Sequence, residues 1–411
     1  MNRQLRDDAD FIIKKSIASV LPEAAVIRAL DHKEFTGRVF LVSVGKAAWN
    51  MANAAYGVLS DRITDGIIVT KYQHNLGPIS NFTCIEAGHP IPDENSFSAS
   101  NKVLDLVENL TSEDTVLFLL SGGGSALFEC PLISPDELQD ITRQLLACGA
   151  DITQINTIRK RLSAVKGGKF AQHCRPAKVY TVVLSDIIGD PLDMIASGPA
   201  YPDSSTCEDA LAIVKQYNLQ LSDSAFALLN KETPKTLDNI ETVVTGSVAE
   251  LCKAAAQNCR QLGYDTCILT DSLDCEAREA GEYLASVVRE HCNDGRNLAF
   301  IAGGETVVHL TGNGKGGRNQ ELALAASLGI SGIQNAAIFS VGSDGTDGPT
   351  DAAGGYVDGD TLQALMEKGI NVIDILKDND AYHALEAVNG LIITGPTGTN
   401  VNDVAVALIH R

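Results

Sequence analysis

Short runs of β-branched and aliphatic residues recur along the chain, and most are followed by a stretch of helical periodicity. The runs RVFLVSVG, GIIVT, FTCIEA, TVLFLLSGGG and VYTVVLSD come first, then TVVTG, TCILTD, LAFIAGGE, AAIFSVGSD and LIITGPT. Between them lie windows such as KAAWNMANAAYGVL, PDELQDITRQLLACGA and VAELCKAAAQNCRQLG, with apolar residues three and four apart. Near-continuous apolar strands alternating with helices predict an α/β fold with largely parallel sheets. FIAGGETVVHL reads differently, as a hairpin, so the second sheet is expected to be mixed.

At 411 residues the chain can bury two cores. The stretch 201–240 is the weakest in pattern: YPDSSTCED is turn-rich, and NKETPKTLDNI is polar and holds a proline. A single boundary near 238 is therefore expected, dividing the chain into domains 1–238 and 239–411.

Composition removes several classes of function. A formal charge of −20 and a pI near 4.7 argue against nucleic acid and against an anionic membrane surface as partners. The ten cysteines form no CxxC pair and no Cys/His cluster with zinc spacing, so they read as reduced thiols in a cytoplasmic protein. The start, MNRQLRDDADFIIKKSIASVL, has early acids and no long apolar core, so it reads as an amphipathic helix rather than a signal peptide. The longest apolar runs are strand-sized, and no membrane span is expected.

Ligands of open α/β sheets bind at the carboxyl ends of the strands. Here those ends finish in Ser43-Val44-Gly45-Lys46, Ser121-Gly122-Gly123-Gly124-Ser125, Ser185-Asp186, Gly303-Gly304-Glu305 and Gly342-Ser343-Asp344. SGGGS can expose successive backbone N–H groups as an anion nest; it could equally be a loop kept small for packing. Lys46 opens a helix, where a positive charge is locally unfavourable without an anion, although a solvated surface lysine fits the position as well. Segment 152–185 holds Arg159, Lys160, Arg161, Lys166, Lys169, Arg175 and Lys178 and no acid. The expectation is a local positive field, with Lys166, Gly167 and Gly168 suited to a polyanion.

Asp186, Asp190 and Asp193 follow one strand, and Asp344, Asp347 and Asp351 follow another. Each could bind Mg²⁺ or orient a hydroxyl, or simply form a turn. In GNGKGGRNQE, Gly312, Gly314 and Gly317 satisfy GxGxxG, but the preceding βαβ strand of the dinucleotide fold is missing. Lys315 and Arg318 make this loop cationic. No Walker A, HRD or DFG element occurs.

Together VSVGKAA, GHPIPDENS, LLSGGGSALF, INTIRKRLSAVKGGKFA, VVLSDIIGDPLDMIASGP, GGETVVHLTGNGKGGRNQELAL and SVGSDGTDGPTDAAG resemble the glycerate 2-kinase family, in family order from about residue 10 to 405. The resemblance implies an N-terminal Rossmann-like three-layer domain with a mainly parallel sheet and a C-terminal MOFRL-type α/β domain with a mixed sheet. It also implies an active site in the cleft between them and ATP-dependent phosphorylation of D-glycerate at the 2-hydroxyl, with a divalent metal. By matching motif, the family's functional lysine falls on Lys46 and its functional arginine on Arg318. Ser121 to Ser125 and Lys166 to Gly168 are then expected to cradle anionic groups. Mg²⁺ would sit among Asp186, Glu305, Asp344 and Asp347, and Asp190 would accept the hydroxyl proton. Where the family often has histidine, this chain has Arg161, expected to be a surface anion contact. ATP, Mg²⁺ and D-glycerate are thus the expected ligands, and a homodimer is compatible with the reading. A nicotinamide-dependent hydroxypyruvate reductase is the alternative; it would need the full dinucleotide fingerprint.

Overall fold

A computed structural model describes residues 2–411. It contains two six-stranded sheets, each in its own compact unit. One unit comprises residues 25–184 and 190–245. The other comprises residues 2–24, 185–189 and 246–411.

The first unit's strands are β1 (Val39–Val44), β2 (Ile63–Lys71), β3 (Thr83–Ala87), β4 (Thr115–Leu120), β5 (Lys178–Leu184) and β6 (Ile240–Gly246), in the order β3-β2-β1-β4-β5-β6. All pairings from β3 through β5 are parallel. Both faces of the central strands are buried, as the unbroken apolar runs require. Phe40, Val42, Val116 and Phe118 enter one core cluster, while Leu41, Leu117 and Leu119 enter another. Helix Ala48–Leu59 covers the second face through Ala48, Met51, Ala52 and Ala55, and helix Glu94–Leu106 covers the first through Ala99 and Val103.

Stretch 201–240 is better ordered than its composition suggests. It holds helices Cys207–Tyr217 and Asp223–Leu229, which share a small core with Pro135–Ala147 and Ile152–Leu162. Strand β6 follows it and pairs into the first sheet, so the chain leaves this unit at 245, where the sequence suggested 238.

The second unit's strands are β7 (Asp265–Leu273), β8 (Leu298–Gly304), β9 (Ala336–Gly342), β10 (Gly354–Asp358), β11 (Leu391–Ile392) and β12 (Asp403–Ile409), in the order β11-β10-β9-β12-β8-β7. The sheet is mixed, but the expected hairpin is absent. β12 runs antiparallel to both β8 and β9, and β10 runs antiparallel to β9, whereas β7 and β8 are parallel. After Gly304 the chain makes only an isolated bridge, Val307 to Glu276, before the glycine-rich loop. The first helix, Arg3–Ser19, packs here through Leu5, Ala9, Ile12 and Ile13 against Leu251, Cys252 and Ala255 of helix Val248–Gln261. Among the described residues no helix is long and apolar enough to cross a membrane.

Candidate active site

In the first unit the ends of β1 and β4 are sewn together. The Lys46 amide donates to Gly122 O at 2.9 Å, and the Ala47 amide donates to the Ser121 hydroxyl at 3.1 Å. Helix Ala48–Leu59 begins just beyond, leaving the Lys46 side chain exposed. Gly123 adopts φ 87°, and a Cβ there would lie 2.9 Å from His89 Cδ2 and 3.3 Å from Lys46 Cγ. A side chain at 123 would therefore close the space that the imidazole and the lysine stem flank.

His89 sits at the end of β3 and was given no role from sequence. Burial, then Lys46, Lys71 and His74, hold its pKa below the usual histidine value. His74 Nδ1 lies 2.9 Å from Lys46 O, and because a carbonyl only accepts, Nδ1 carries the proton. Four cationic or cationisable groups, Lys46, Lys71, His74 and His89, thus gather at the carboxyl ends of β1 to β3. The sequence signal was GHPIPDENS, visible as a motif but without a charge pattern to single out the histidine.

The rest of the anion stretch has another task. Lys166 is fully buried, donating to Ser125 O at 2.7 Å and Phe128 O at 2.9 Å, with Glu129 at 3.4 Å. Burial brings its pKa down to about 8, offset in part by Glu129. The amides of Gly167 and Gly168 donate to Ser197 O and Gly198 O. Lys160 is buried on Asp203 at 2.9 Å, and Lys169 Nζ donates to the carbonyls of residues 160, 161 and 163 at the end of helix Ile152–Leu162. The acid-free segment is accordingly neutralised from elsewhere in the chain. Arg161 is 1% exposed, bonded to Thr157 O, Ser205 O and the Ser205 hydroxyl, so it is a buried strut and not a surface anion contact.

Above this layer the Ser125 and Ser197 hydroxyls are 3.1 Å apart, and Ser197 donates to Asn156 Oδ1 at 2.9 Å. Asp190 has φ 49°, a costly conformation for a residue other than glycine. Its buried Oδ1 has no hydrogen-bond partner among the described residues. Asp193 accepts from the Ser204 hydroxyl at 2.5 Å and from Lys160 at 3.5 Å.

In the second unit, Arg318 opens helix Arg318–Gly329. Its guanidinium is bidentate on Asp403, with Nε to Oδ2 at 2.5 Å and the second fork at 3.1 Å, and its remaining arm reaches Glu305 at 2.9 Å. Burial would lower the Arg318 pKa, but the Asp403 bond and the charges of Asp403, Glu305 and Asp347 together outweigh it, and the guanidinium is held firmly charged. Burial pushes the Asp403 carboxyl up, against the pull of Arg318. Asp403 was not foreseen, because DVAVALI was not read as a strand. Asn402 donates to Glu305 Oε2 at 3.0 Å and to Asp186 O at 3.3 Å, bringing Asp186 and Glu305 to one place.

The four carboxylates expected to hold a metal do not form a cage. Asp347 spends Oδ1 on the Asn319 amide and Oδ2 on the Gln320 amide and side chain, capping helix Arg318–Gly329. Asp344 accepts the Thr346 amide, and Glu305 lies against Arg318 and Asn402. Among the described residues no group of three or more His, Cys, Asp or Glu is arranged to hold a metal ion.

The GxGxxG loop is also committed. The amides of Gly312, Asn313, Gly314 and Lys315 all bond to residues 378–380, and Lys315 Nζ lies 3.9 Å over the Tyr382 ring. These donors are unavailable to a dinucleotide phosphate.

Comparison with known proteins agrees with the motif order. Residues 8–230 match the family model described as a domain of unknown function, DUF4147, and residues 298–403 match the MOFRL family. D-glycerate 2-kinase of Thermotoga maritima is 54% identical, with 97% of each chain covered. A putative hydroxypyruvate reductase of Agrobacterium vitis is 38% identical, covering 97% of this chain and 93% of its own length. The crystal structure of glycerate kinase from Thermotoga maritima superposes with a TM-score of 0.94 at 52% identity over both full chains. The chain therefore belongs to the glycerate 2-kinase family, with a MOFRL domain in its C-terminal part.

Proposed function

We propose that this protein transfers the γ-phosphoryl group of ATP to the 2-hydroxyl of D-glycerate, giving ADP and 2-phosphoglycerate. The observation that carries the reading is the joined end of β1 and β4, where Lys46 and the glycine loop face His89, in a chain so similar to a D-glycerate 2-kinase. Phosphoryl transfer asks for alignment and charge stabilisation more than covalent chemistry. In this account Lys46 and the 121–125 loop neutralise phosphate oxygens. Arg318, pinned by Asp403, turns its Glu305-facing arm to the moving phosphoryl group, so one residue from each half serves the same reaction. Asp190, with an open carboxylate oxygen, accepts the 2-hydroxyl proton as the O2–P bond forms and the bond to ADP breaks. Lys166 acts beneath the loop by holding its carbonyls, not by touching phosphate. Magnesium, where present, would offset charge on the nucleotide; octahedral Mg²⁺ needs only one or two carboxylates beside phosphate and water. Cytoplasmic residence belongs to the same proposal.

The reductase reading finds no support in the glycine loop, whose amides are engaged by residues 378–380. Two reactions separate the readings: protein with ATP and D-glycerate, and protein with NADH and hydroxypyruvate. ADP formation in the first with no NADH loss in the second is expected; the reverse would overturn the kinase reading. Lys46→Ala should lower kcat and kcat/KM together while melting normally. Arg318→Ala should lower them roughly 10³-fold by analogy with arginine fingers, and should also lower the melting temperature, because it leaves the buried Asp403 carboxylate without its fork. Arg318→Lys should recover little, since an ammonium cannot reproduce the fork on Asp403. A melt-stable Arg318→Ala with normal kcat would remove Arg318 from the reaction.

A further inference from the structure

The two catalytic halves carry opposite charge. Around Arg318 lie Asp403, Glu305 and Asp347, so that half offers one cation among several carboxylates. The first unit's strand ends offer the reverse. Lys46 and the His89 ring stand on either side of Gly123, and Lys46, Lys71 and His74 all act electrostatically on His89. The two carboxylates on His89's own segment are spent locally: Glu86 Oε1 accepts the amides of His74 and Asn75, and Asp93 accepts from the Tyr72 hydroxyl and the Ser96 amide. With His74 Nδ1 donating to Lys46 O, its Nε2 is the nitrogen left to turn outward.

We propose that Lys46, Lys71, His74 and His89 form one receptor for the nucleotide's polyphosphate, and that His89 takes up a proton when the anion binds. Charge matching favours polyphosphate over the substrate carboxylate. Two lysines and two imidazoles can supply up to four positive charges, whereas a single carboxylate is balanced by one. Without ligand, burial and then the neighbouring cations disfavour the protonated imidazole. A polyanion reverses that field, and the ring gains a second N–H to donate. Linkage makes the consequence reciprocal: each unit by which binding raises the imidazole pKa is a tenfold gain in affinity at low pH. The inference rests on the proposed reaction only in taking the phosphoryl donor to be a nucleotide.

Trp49, the single tryptophan, donates to Gly77 O at 2.8 Å and so ties the loop after His74 to the helix after Lys46. Its fluorescence is a built-in probe of this site. Titrations with AMP-PNP and with inorganic tripolyphosphate, at pH 6 and pH 8, should both change it. Wild type should gain roughly tenfold more affinity than His89→Gln on going from pH 8 to pH 6, which subtracts the phosphates' own titration. Lys71→Gln should weaken both ligands, and D-glycerate should not compete with tripolyphosphate. Competition by D-glycerate, or a folded His89→Gln variant with wild-type affinity and pH dependence, would overturn the proposal. If His89→Gln fails to fold, the wild-type His89 resonances decide: a pKa unmoved by tripolyphosphate is equally fatal. Nucleotide binding without phosphoryl transfer would refute the reaction and leave this site standing; transfer with no dependence on His89 would do the opposite.

Discussion

Asp347 shows how a carboxylate in a loop full of candidate ligands can be spent on the fold. It is 3% exposed and receives the Asn319 and Gln320 amides in the first turn of helix Arg318–Gly329, immediately after Arg318. Burial raises its pKa to about 6, with the amide bonds acting the other way. A carboxyl raised in the folded state gives stability that is full below its unfolded pKa and lost as pH climbs, here between about pH 4 and pH 6. Asp347→Ala should destabilise by about 1–3 kcal/mol, because capping donors are left bare, and the deficit should narrow from pH 4 to pH 7. Denaturant melts across that range check it; an unchanged melt with lost activity would make Asp347 a reaction residue instead. Residues of this kind explain what sequence could and could not reveal. Lys46, Arg318 and the SGGGS loop stood out as candidates because each lies in one short motif. The fates of Lys160, Arg161 and Lys166 could not be read, since their partners Asp203, Ser205 and Glu129 come from 37 to 44 residues away.

At the level of elements, strand and helix alternation was readable wherever an apolar run was long and buried on both faces, as in β1 and β4. It failed where local pattern and tertiary role part company. FIAGGETVVHL alternates like a hairpin, yet after Gly304 its backbone is engaged by the turn before helix Ala277–His291, with the Glu305 amide on Leu273 O and the Val307 amide on Cys275 O. Helix Arg318–Gly329 is buried along its whole inner length, Asn319 to Ser327, so it has no polar stripe to read. The layer beneath the anion loop gives an element-scale prediction. Lys166 holds the carbonyls of Ser125 and Phe128 while facing the buried Glu129. Lys166→Met should cost about 1–3 kcal/mol, because the Ser125 and Phe128 carbonyls lose their donor and Glu129 keeps only Arg159, at 3.4 Å, as its cation. Adding Glu129→Gln should recover part of it. Thermal melts of the single and double variants check this; a raised KM for ATP at unchanged stability would restore Lys166 to the phosphate site.

For the whole molecule, a linear reading looks for one cut, whereas this chain forms its units discontinuously. The helix Arg3–Ser19 joins the unit built mostly from residues beyond 245, where Asp8 accepts from the Tyr264 hydroxyl at 2.5 Å and Asn258 donates to the Ser16 hydroxyl at 3.0 Å. Those contacts span more than 240 residues and leave no trace in local composition. The proposed reaction assigns roles to a cationic strand-end cluster in one unit and to the carboxylate-rimmed Arg318 in the other, and its central claim is that both serve one phosphoryl transfer. The direct measurement is ³¹P and ¹³C NMR of the purified protein incubated with ATP, Mg²⁺ and D-glycerate labelled at C2. The account predicts ADP together with phosphorus coupled to the labelled carbon through O2, and loss of that signal in both Lys46→Ala and Arg318→Ala. Phosphate on O3 would contradict the proposed regiochemistry, and no phosphoglycerate from folded protein would contradict the account itself.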